Sequence, residues 1–321
     1  MQGDMKHMKC NWISDNAYSL LRGKSVLVAG GTGFVGQRTV EMLDKIGMRV
    51  YVITRRRIED LGNIHYLQGD LSENNDLQKI NEEINEEVDY GIYMAANIPL
   101  RGQAKENYFD AKKSTFDPFI NFCEQYLPKI KSFVYISSVD VLGGCAEFEY
   151  NEIAPIRVAS PYGLAKYIGE LYTKDICTVQ KIPYTILRFA QVYGPNEPIV
   201  RIIPIIKKAM TSGNTFTLVT DGSERRRFLY VDDAVKSIIH GLIYASNETY
   251  NIAGPDYISM KDLVSLIERI WGKKIDLVIK AEIKGEDNVP SIEKARRELK
   301  FNPGIKMRDG MQMIMEEERN A

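Results

Sequence analysis

Tyr162 and Lys166 stand four residues apart in the stretch SPYGLAKYIGE, residues 160–170. Side chains at that spacing share one face of a helix. A phenol with a pKa near ~10 is mostly protonated at neutral pH, and a nearby ammonium stabilises its ionised form. The pair therefore fits either an ordinary solvated helix face or a proton-transfer couple, and the rest of the chain has to decide between them. A second pattern, VAGGTGFVG (28–36), carries Gly30, Gly33 and Gly36 at three-residue spacing. Glycines so placed allow a tight turn, a close approach of backbone to a pyrophosphate, and tight packing of helix on strand. The helix that follows presents unpaired N–H groups and a positive dipole end to the phosphates. A structural turn is the plain alternative, but the position after one strand and before a helix points to dinucleotide binding.

These residues need a scaffold, and the apolar pattern supplies one. KSVLVAGG (24–31), MRVYVIT (48–54), NIHYLQGD (63–70), VDYGIYMAA (88–96), KSFVYISS (131–138) and IPYTILRF (182–189) read as buried strands. Helical spacing occupies 34–47, 72–87, a stretch around 105–127, and the segment carrying Tyr162. Strands alternating with helices predict an α/β fold with a parallel sheet covered on both faces. From about residue 195 the pattern loosens, with Pro195, Pro198 and Pro204 punctuating it. Helices are expected near 200–211, 231–245, 259–271 and 307–318, with short strands such as FLYV and TYNIAG between them. The expected organisation is an N-terminal extension (1–23), a dinucleotide-binding domain (24–194, with later segments returning to it) and a smaller α/β substrate lobe (195–321). The site should lie between the lobes at the carboxyl ends of the strands.

The bulk composition narrows the function classes. With 321 residues, 44% hydrophobic and 26% charged, the chain is globular and long enough for one or two domains. A net charge of -1 argues against coating nucleic acid or an anionic membrane. Cys10, Cys123, Cys145 and Cys177 show no metal-ligand spacing and fit a reducing cytoplasm. His7, His65 and His240 are scattered, so neither a zinc site nor a Ser-His-Asp triad is expected. The first residues hold acids and no apolar core of a signal peptide, and no apolar run approaches the ~18 residues of a membrane span. A cytoplasmic location is expected.

The end of the second strand bears on which dinucleotide is bound. NAD binders usually place a carboxylate about 20 residues past the glycines, on the adenosine ribose. Here the position 18 past Gly36 is Thr54, followed by Arg55, Arg56 and Arg57. No acid repels a 2′-phosphate, and guanidiniums are present to hold one. The expectation is NADP(H) rather than NAD, with a solvated basic turn as the other reading. Asp70 closes the third strand and would either hydrogen-bond the adenine or cap a helix.

VYISSVDVLGG (134–144), with Tyr162 twenty-four residues after Ser138, joins the glycine loop in a wider pattern. LRFAQVYGP (187–195), DGSERRRFLYVDDAV (221–235), YNIAGP (250–255) and KARREL (294–299) extend it. From about Lys24 to about Gly310 the chain resembles the extended short-chain dehydrogenase/reductase family, in its nucleotide-sugar epimerase/dehydratase group. The resemblance implies a Rossmann-type doubly wound sheet and a homodimer. It makes Tyr162 the acid/base, Lys166 the group that lowers its pKa and holds the nicotinamide ribose, and Ser138 the hydrogen-bond partner of the reacting oxygen. It places the cofactor on Gly30, Thr32, Gly33, Phe34, Val35, Gly36, Thr54, Arg55, Arg56, Asp70, Leu71, Ala95, Ala96, Tyr162 and Lys166, and a nucleoside-diphosphate sugar on Arg226, Lys284 and Gln191. Ile202, Ile203 and Pro204 would border its base.

Departures from the family pattern carry information. Ala29 replaces the usual Thr before the glycines, Leu142 a common Tyr, and Lys112 an Asn expected beside the site. Sugar dehydratases of the family carry an acid immediately after the catalytic hydroxyl; here Ser138 is followed by Val139 and then Asp140. That argues against a 4,6-dehydratase and leaves Asp140 as a further candidate acid/base. The leading expectation is an NADP(H)-dependent oxidoreductase that reduces a keto group of a nucleotide-linked sugar. The alternatives are a 4-epimerase (or dehydratase) with retained NAD(P), and a non-catalytic dinucleotide-sensing module. A sensor has no need of the Ser138, Tyr162 and Lys166 set.

Overall fold

The computed structural model describes residues 19–84, 86–97, 107–143, 149–198 and 201–320. Most of the expected N-terminal extension (residues 1–18), with His7 and Cys10, lies outside the described residues, as does Cys145. Strand β1 (Ser25–Ala29) leads through the glycine loop into α1 (Phe34–Ile46), β2 (Arg49–Thr54) and β3 (Ile64–Gln68). Then come α2 (Asn74–Glu83), β4 (Val88–Tyr93), α3 (Asp117–Tyr126), β5 (Ile130–Ser138), α4 (Pro161–Gln180), β6 (Tyr184–Phe189) and β7 (Gln191–Tyr193). The rest comprises α5 (Ile202–Ser212), β8 (Phe216–Thr220), β9 (Arg225–Arg226), β10 (Phe228–Tyr230), α6 (Val231–Ile243), β11 (Glu248–Ile252), β12 (Ile258–Ser259), α7 (Met260–Trp271), β13 (Leu277–Ile283), α8 (Glu293–Glu298) and α9 (Met307–Asn320).

Seven of these strands form one parallel sheet in the order β11-β6-β5-β4-β1-β2-β3. The chain starts in the middle, runs out to β3, then returns to the other side of β1 with β4. The expected doubly wound architecture is what is found, and the reversal between β1 and β4 opens the crevice where such sheets bind ligands. A parallel sheet is covered on both faces, so its strands read as predominantly apolar runs. All five residues of β1 are buried, with Val26 and Val28 in one core cluster and Leu27 and Ala29 in another. That split follows from the strand's two-residue alternation. The first cluster takes in α1 and α6 and continues without a break into Ile206, Phe216, Leu263 and Ile267 of the C-terminal segments. The second packs Leu77 and Ile80 of α2, Phe119, Phe122 and Tyr126 of α3, and Cys177 of α4 against the opposite face.

Two expectations change. TYNIAG, read as a strand of the second lobe, is β11, the edge of the main sheet, with Tyr250 opposite Leu187. Its apolar run finds the open edge of β6, which no other described strand covers. The helical stretch that begins at Tyr108 is interrupted by a π-helical turn, Lys112–Phe116, before α3. Smaller parallel pairs, β7 with β10 and β8 with β13, and the antiparallel pair β9 with β12, build the C-terminal segments. No helix among the described residues is long and apolar enough to cross a membrane.

Helix α4 lies close against β5 and the turn that follows it. A Cβ on Gly163 would lie 2.8 Å from the Asp140 carbonyl oxygen, and one on Gly169 would collide with the Tyr135 hydroxyl. Tyr135 is buried and stacks among Tyr93 and Phe119, so it has nowhere to go. Gly169→Ala should therefore lower the unfolding free energy by about 1–3 kcal/mol through overpacking, despite alanine's better helix propensity. Urea unfolding of the two proteins measures it, and equal stability would mean that α4 has room to move.

Candidate active site

A cleft of about 360 Å³ opens at the carboxyl ends of the central strands. Its lining brings together Gly30, Gly33, Phe34, Val35, Gly36, Ala96, Ser138, Asp140, Tyr162, Lys166, Gln191 and Arg226 of the expected site residues. Residues far apart in sequence meet here because β1, β4, β5 and β6 all end on one side of a parallel sheet.

The glycine loop forms one wall. Gly30 has φ +87°, a left-handed conformation, and a Cβ on it would lie 2.6 Å from the Ala95 nitrogen at the end of β4. A Cβ on Gly36 would strike the Gly30 carbonyl oxygen. Gly33 starts α1 with extended backbone, and neither a side-chain cap nor an acid in the first turn satisfies the helix N–H groups. An uncapped, acid-free helix start beside a backbone that only glycine permits is a cradle for a phosphate, and these residues fit a dinucleotide. Thr54 is buried at the end of β2, where its hydroxyl accepts a hydrogen bond from Arg56 N at 3.1 Å. Arg55 and Arg56 are exposed, and among the described residues neither guanidinium meets a carboxylate. Asp70 Oδ1 accepts from Ser72 N at 2.9 Å, a local turn rather than a helix cap, and the neighbouring Leu71 is buried. Thr32 and Ala95 lie in the loop and at the β4 end without lining the cleft.

The opposite wall is the junction of β5 and α4. Ser138 ends β5, and its hydroxyl oxygen accepts from Asp140 N at 3.2 Å, which nucleates a 3₁₀ turn at Val139–Leu142. The Ser138 O–H remains to donate into the cleft. Ser160 caps α4, accepting from Gly163 N at 3.0 Å, and Pro161 stands at the first helical position. This fixes Tyr162 in the first turn, half-buried on the cleft, with Lys166 one turn below it. Lys166 is 2% exposed. Its ammonium donates to the Ile136 carbonyl oxygen at 2.8 Å and lies 5.1 Å from the Tyr135 ring centroid. Loss of water pushes the Lys166 ammonium down to about 7, and the Glu170 carboxylate opposes that fall.

Asp140 is open to the cleft's solvent yet walled by protein on its other sides. That partial loss of water raises its carboxyl, while Arg201, Arg226 and the contact with Ser138 pull it back down. Of three consecutive arginines, the two outer ones are engaged by the protein. Arg225 forks onto Asp287, and Arg227 donates to Glu149 and to the Pro290 carbonyl oxygen. Strand β9 turns Arg226 the other way, and among the described residues its guanidinium has no hydrogen-bonded partner. Lys284 is exposed beyond β13 and is not part of the cleft lining. Lys112 is also away from it, exposed on the π turn and paired with Asp117, and Leu142 is buried beside Tyr150. Ile202 does line the cleft, while Ile203 is buried in the core. Arg201 and Asn288 line the cleft without having been anticipated. Neither sits in a local motif, so only the fold reveals them. Glu170, four residues past Lys166, continues the Tyr162–Lys166 spacing and could have been read from it.

A model of the NAD dependent epimerase/dehydratase family matches residues 26–253. The chain belongs to that family. A Bacillus subtilis member named as an uncharacterized UDP-glucose epimerase is 29% identical over 311 residues, covering 89% of this chain and 95% of its own. A dTDP-glucose 4,6-dehydratase of Streptomyces niveus is 24% identical over 306 residues, covering 89% and 90%. Among solved structures, UDP-glucose 4-epimerase of Thermotoga maritima with UDP-glucose superposes with a TM-score of 0.82 at 24% identity, covering 92% of this chain and 98% of that one. UDP-glucuronic acid 4-epimerase of Bacillus cereus, in complex with UDP-glucuronic acid and NAD, gives 0.81 at 24%, covering 92% and 99%. Members of the NAD dependent epimerase/dehydratase family use a nicotinamide dinucleotide.

The Lys166 environment has a consequence for stability. Unfolded, the amine titrates near ~10.4; folded, near 7. Between those values the unfolded chain binds the extra proton, so the burden of burying Lys166 is full below about pH 7 and is relieved as pH rises towards 10. Lys166→Met should therefore be more stable than the unmodified protein near pH 7, and that advantage should shrink by up to about 1.4 kcal/mol per pH unit above it. Urea unfolding of both cofactor-free proteins at several pH values checks this, and a pH-independent difference would show that Lys166 titrates normally.

Proposed function

We propose that this chain interconverts nucleoside-diphosphate sugars by oxidising and re-reducing one ring carbon, as an epimerase that keeps its dinucleotide bound. The observation that carries the reading is the cleft itself. It holds Ser138, Tyr162 and Lys166 on one side and the two cleft arginines, Arg201 and Arg226, with them. The likeness to relatives named as UDP-glucose epimerases over most of both chains supports the same reading. In it, Tyr162 takes the proton from a sugar hydroxyl, and Ser138 donates to the same oxygen and orients it. The Lys166 ammonium stabilises the phenolate formed, which brings the phenol into the working pH range. The bound nicotinamide supplies the hydride acceptor and donor. Inversion requires the second face of the same carbon to be presented, so the sugar turns while Arg226 keeps hold of the diphosphate. Guanidinium suits that task because its planar fork matches two phosphate oxygens. Val139 occupies the place where elimination of water would need an acid, which favours epimerisation over dehydration.

A second reading, an NADPH-dependent keto-sugar reductase, is favoured by Arg55 and Arg56, exposed beside a buried Thr54 with no carboxylate to repel a 2′-phosphate. Incubation with UDP-linked hexoses separates the two. The epimerase reading expects interconversion of sugars without net consumption of added NADPH, and Tyr162→Phe should slow it on the order of a hundredfold or more while retaining dinucleotide binding. Stoichiometric oxidation of NADPH by a nucleotide-linked keto sugar, with no interconversion, would overturn the epimerase in favour of the reductase.

The cofactor question is tested separately by fluorescence titration. NADPH should bind more tightly than NADH, and Arg55→Asp should reverse that order, because a charge-assisted contact to phosphate is replaced by repulsion. Tighter binding of NADH to the unmodified protein would remove the phosphate-reading role from Arg55 and Arg56.

A further inference from the structure

Behind Lys166 lies a charged group that the reaction does not touch. Glu170 is 0% exposed on α4, one turn below Lys166. Its carboxylate accepts from the Ser137 hydroxyl at 2.6 Å, from Arg188 Nε at 2.8 Å and from Arg188 Nη2 at 2.7 Å. Arg188 is itself buried on β6, one strand in from the sheet edge, and its remaining Nη1 donates to the Glu152 carbonyl oxygen at 3.2 Å. Burying an ion pair costs several kcal/mol per ion in lost hydration. A purely apolar contact between α4 and the sheet would hold the fold as well or better, because apolar replacement of such pairs is often neutral or stabilising. The pair's placement, one helical turn from a buried ammonium that opens on the cleft, gives it a different use.

We propose that Glu170 is a positioning residue for the reaction: pinned by Arg188 and Ser137, its carboxylate keeps the buried Lys166 amine charged and aimed at Tyr162. This rests on the reading of Lys166 as the partner of the catalytic phenol. The charged and titratable groups that face Lys166 are Tyr162 and Glu170 on α4, Tyr135 on β5, Arg188 on β6 beyond Glu170, and Asp140, Arg201 and Arg226 around the cleft. Of these, Glu170 is the carboxylate that acts on Lys166 from within the protein, where the dielectric is low and a unit charge is felt most. Asp140 lies on the cleft and is acted on instead by the two arginines. Among the described residues the Lys166 ammonium has one hydrogen-bond acceptor, the Ile136 carbonyl. Glu170 adds an opposite charge to that hydrogen bond and to the Tyr135 ring, and so offsets the loss of water around the ammonium.

The test reads Lys166 directly. Carbon-13 labelling of the lysine side chains in the full chain gives its titration, with the signal assigned by its disappearance in Lys166→Met. Glu170→Gln keeps the shape and loses the charge. The double variant Glu170→Met with Arg188→Met replaces the whole pair by apolar side chains and guards against a misfolded single variant. The proposal expects the Lys166 midpoint to fall by about one pH unit in Glu170→Gln and to fall as well in the double variant, with the descending limb of the pH–rate profile moving to lower pH in step. A midpoint within a few tenths of a unit of the unmodified protein in the folded double variant, with thermal stability restored there, would show a mere structural tether and overturn the proposal. The titration uses no sugar, so its outcome does not depend on the epimerase reading. Failure of that reading would appear instead as absence of turnover in the unmodified protein, with the Lys166 titration unchanged.

Discussion

The hydrogen bond from the Lys166 ammonium to the Ile136 carbonyl, at 2.8 Å, ties the long helix α4 to the central strand β5, and the geometry of the cleft follows from it. The helix can lie this close because Gly169 leaves room for the Tyr135 hydroxyl of β5 and Gly163 leaves room for the Asp140 carbonyl in the turn beyond it. Two residues beyond Ile136 the same strand ends in Ser138, and one turn above Lys166 the first turn of the same helix carries Tyr162. Hydroxyl, phenol and ammonium are thereby held by one strand–helix junction rather than by three independent loops. Functional groups on rigid elements keep their spacing better than groups on loops. The junction has an electrostatic cost, since it takes an ammonium out of water, and the buried carboxylate of Glu170 lies on the side from which that cost is offset.

Much of this was readable from the chain because the physics is local. A strand covered on both faces must be apolar, so SVLVA and YTILRF announce a parallel sheet. A loop that brings backbone against a neighbouring strand must be glycine, so Gly30 and Gly36 announce themselves. Tyr162 and Lys166 follow helix periodicity. What was not readable depends on partners distant in sequence. TYNIAG has the same apolar pattern whether it ends a small lobe or completes the main sheet, and only the open edge of β6 decides. Arg188 within YTILRF reads as a polar interruption, and its burial makes sense only once Glu170 is found beside it. Arg201 and Asn288 reach the cleft from segments with no pattern of their own, while Lys284, chosen for its charge, stays outside it.

The distribution of charge is uneven in a way the net value of -1 conceals. Arg201 and Arg226 stand in a concave wall lined by apolar residues such as Ile136, Phe189 and Ile202. Low-dielectric walls focus the field of such groups towards the opening. The flanking Arg225 and Arg227 are neutralised by Asp287 and Glu149, so positive potential is concentrated at one position instead of being spread along a basic turn. An anionic ligand is guided to a point, and polyanions of large extent gain little from the same surface.

The return of β11 to the edge of the sheet reaches beyond the folded state into biosynthesis. Its partner β6 is complete by Phe189, but Glu248–Ile252 follows only after the intervening segments have been made. At the ~5–20 residues per second of chain elongation, the nascent sheet spends seconds with a bare edge. Such an edge is a template for pairing with other chains. A ribosome-bound chain stalled in this interval, or one truncated between residues 190 and 247, leaves the β6 edge without the β11 strand that covers it in the full fold.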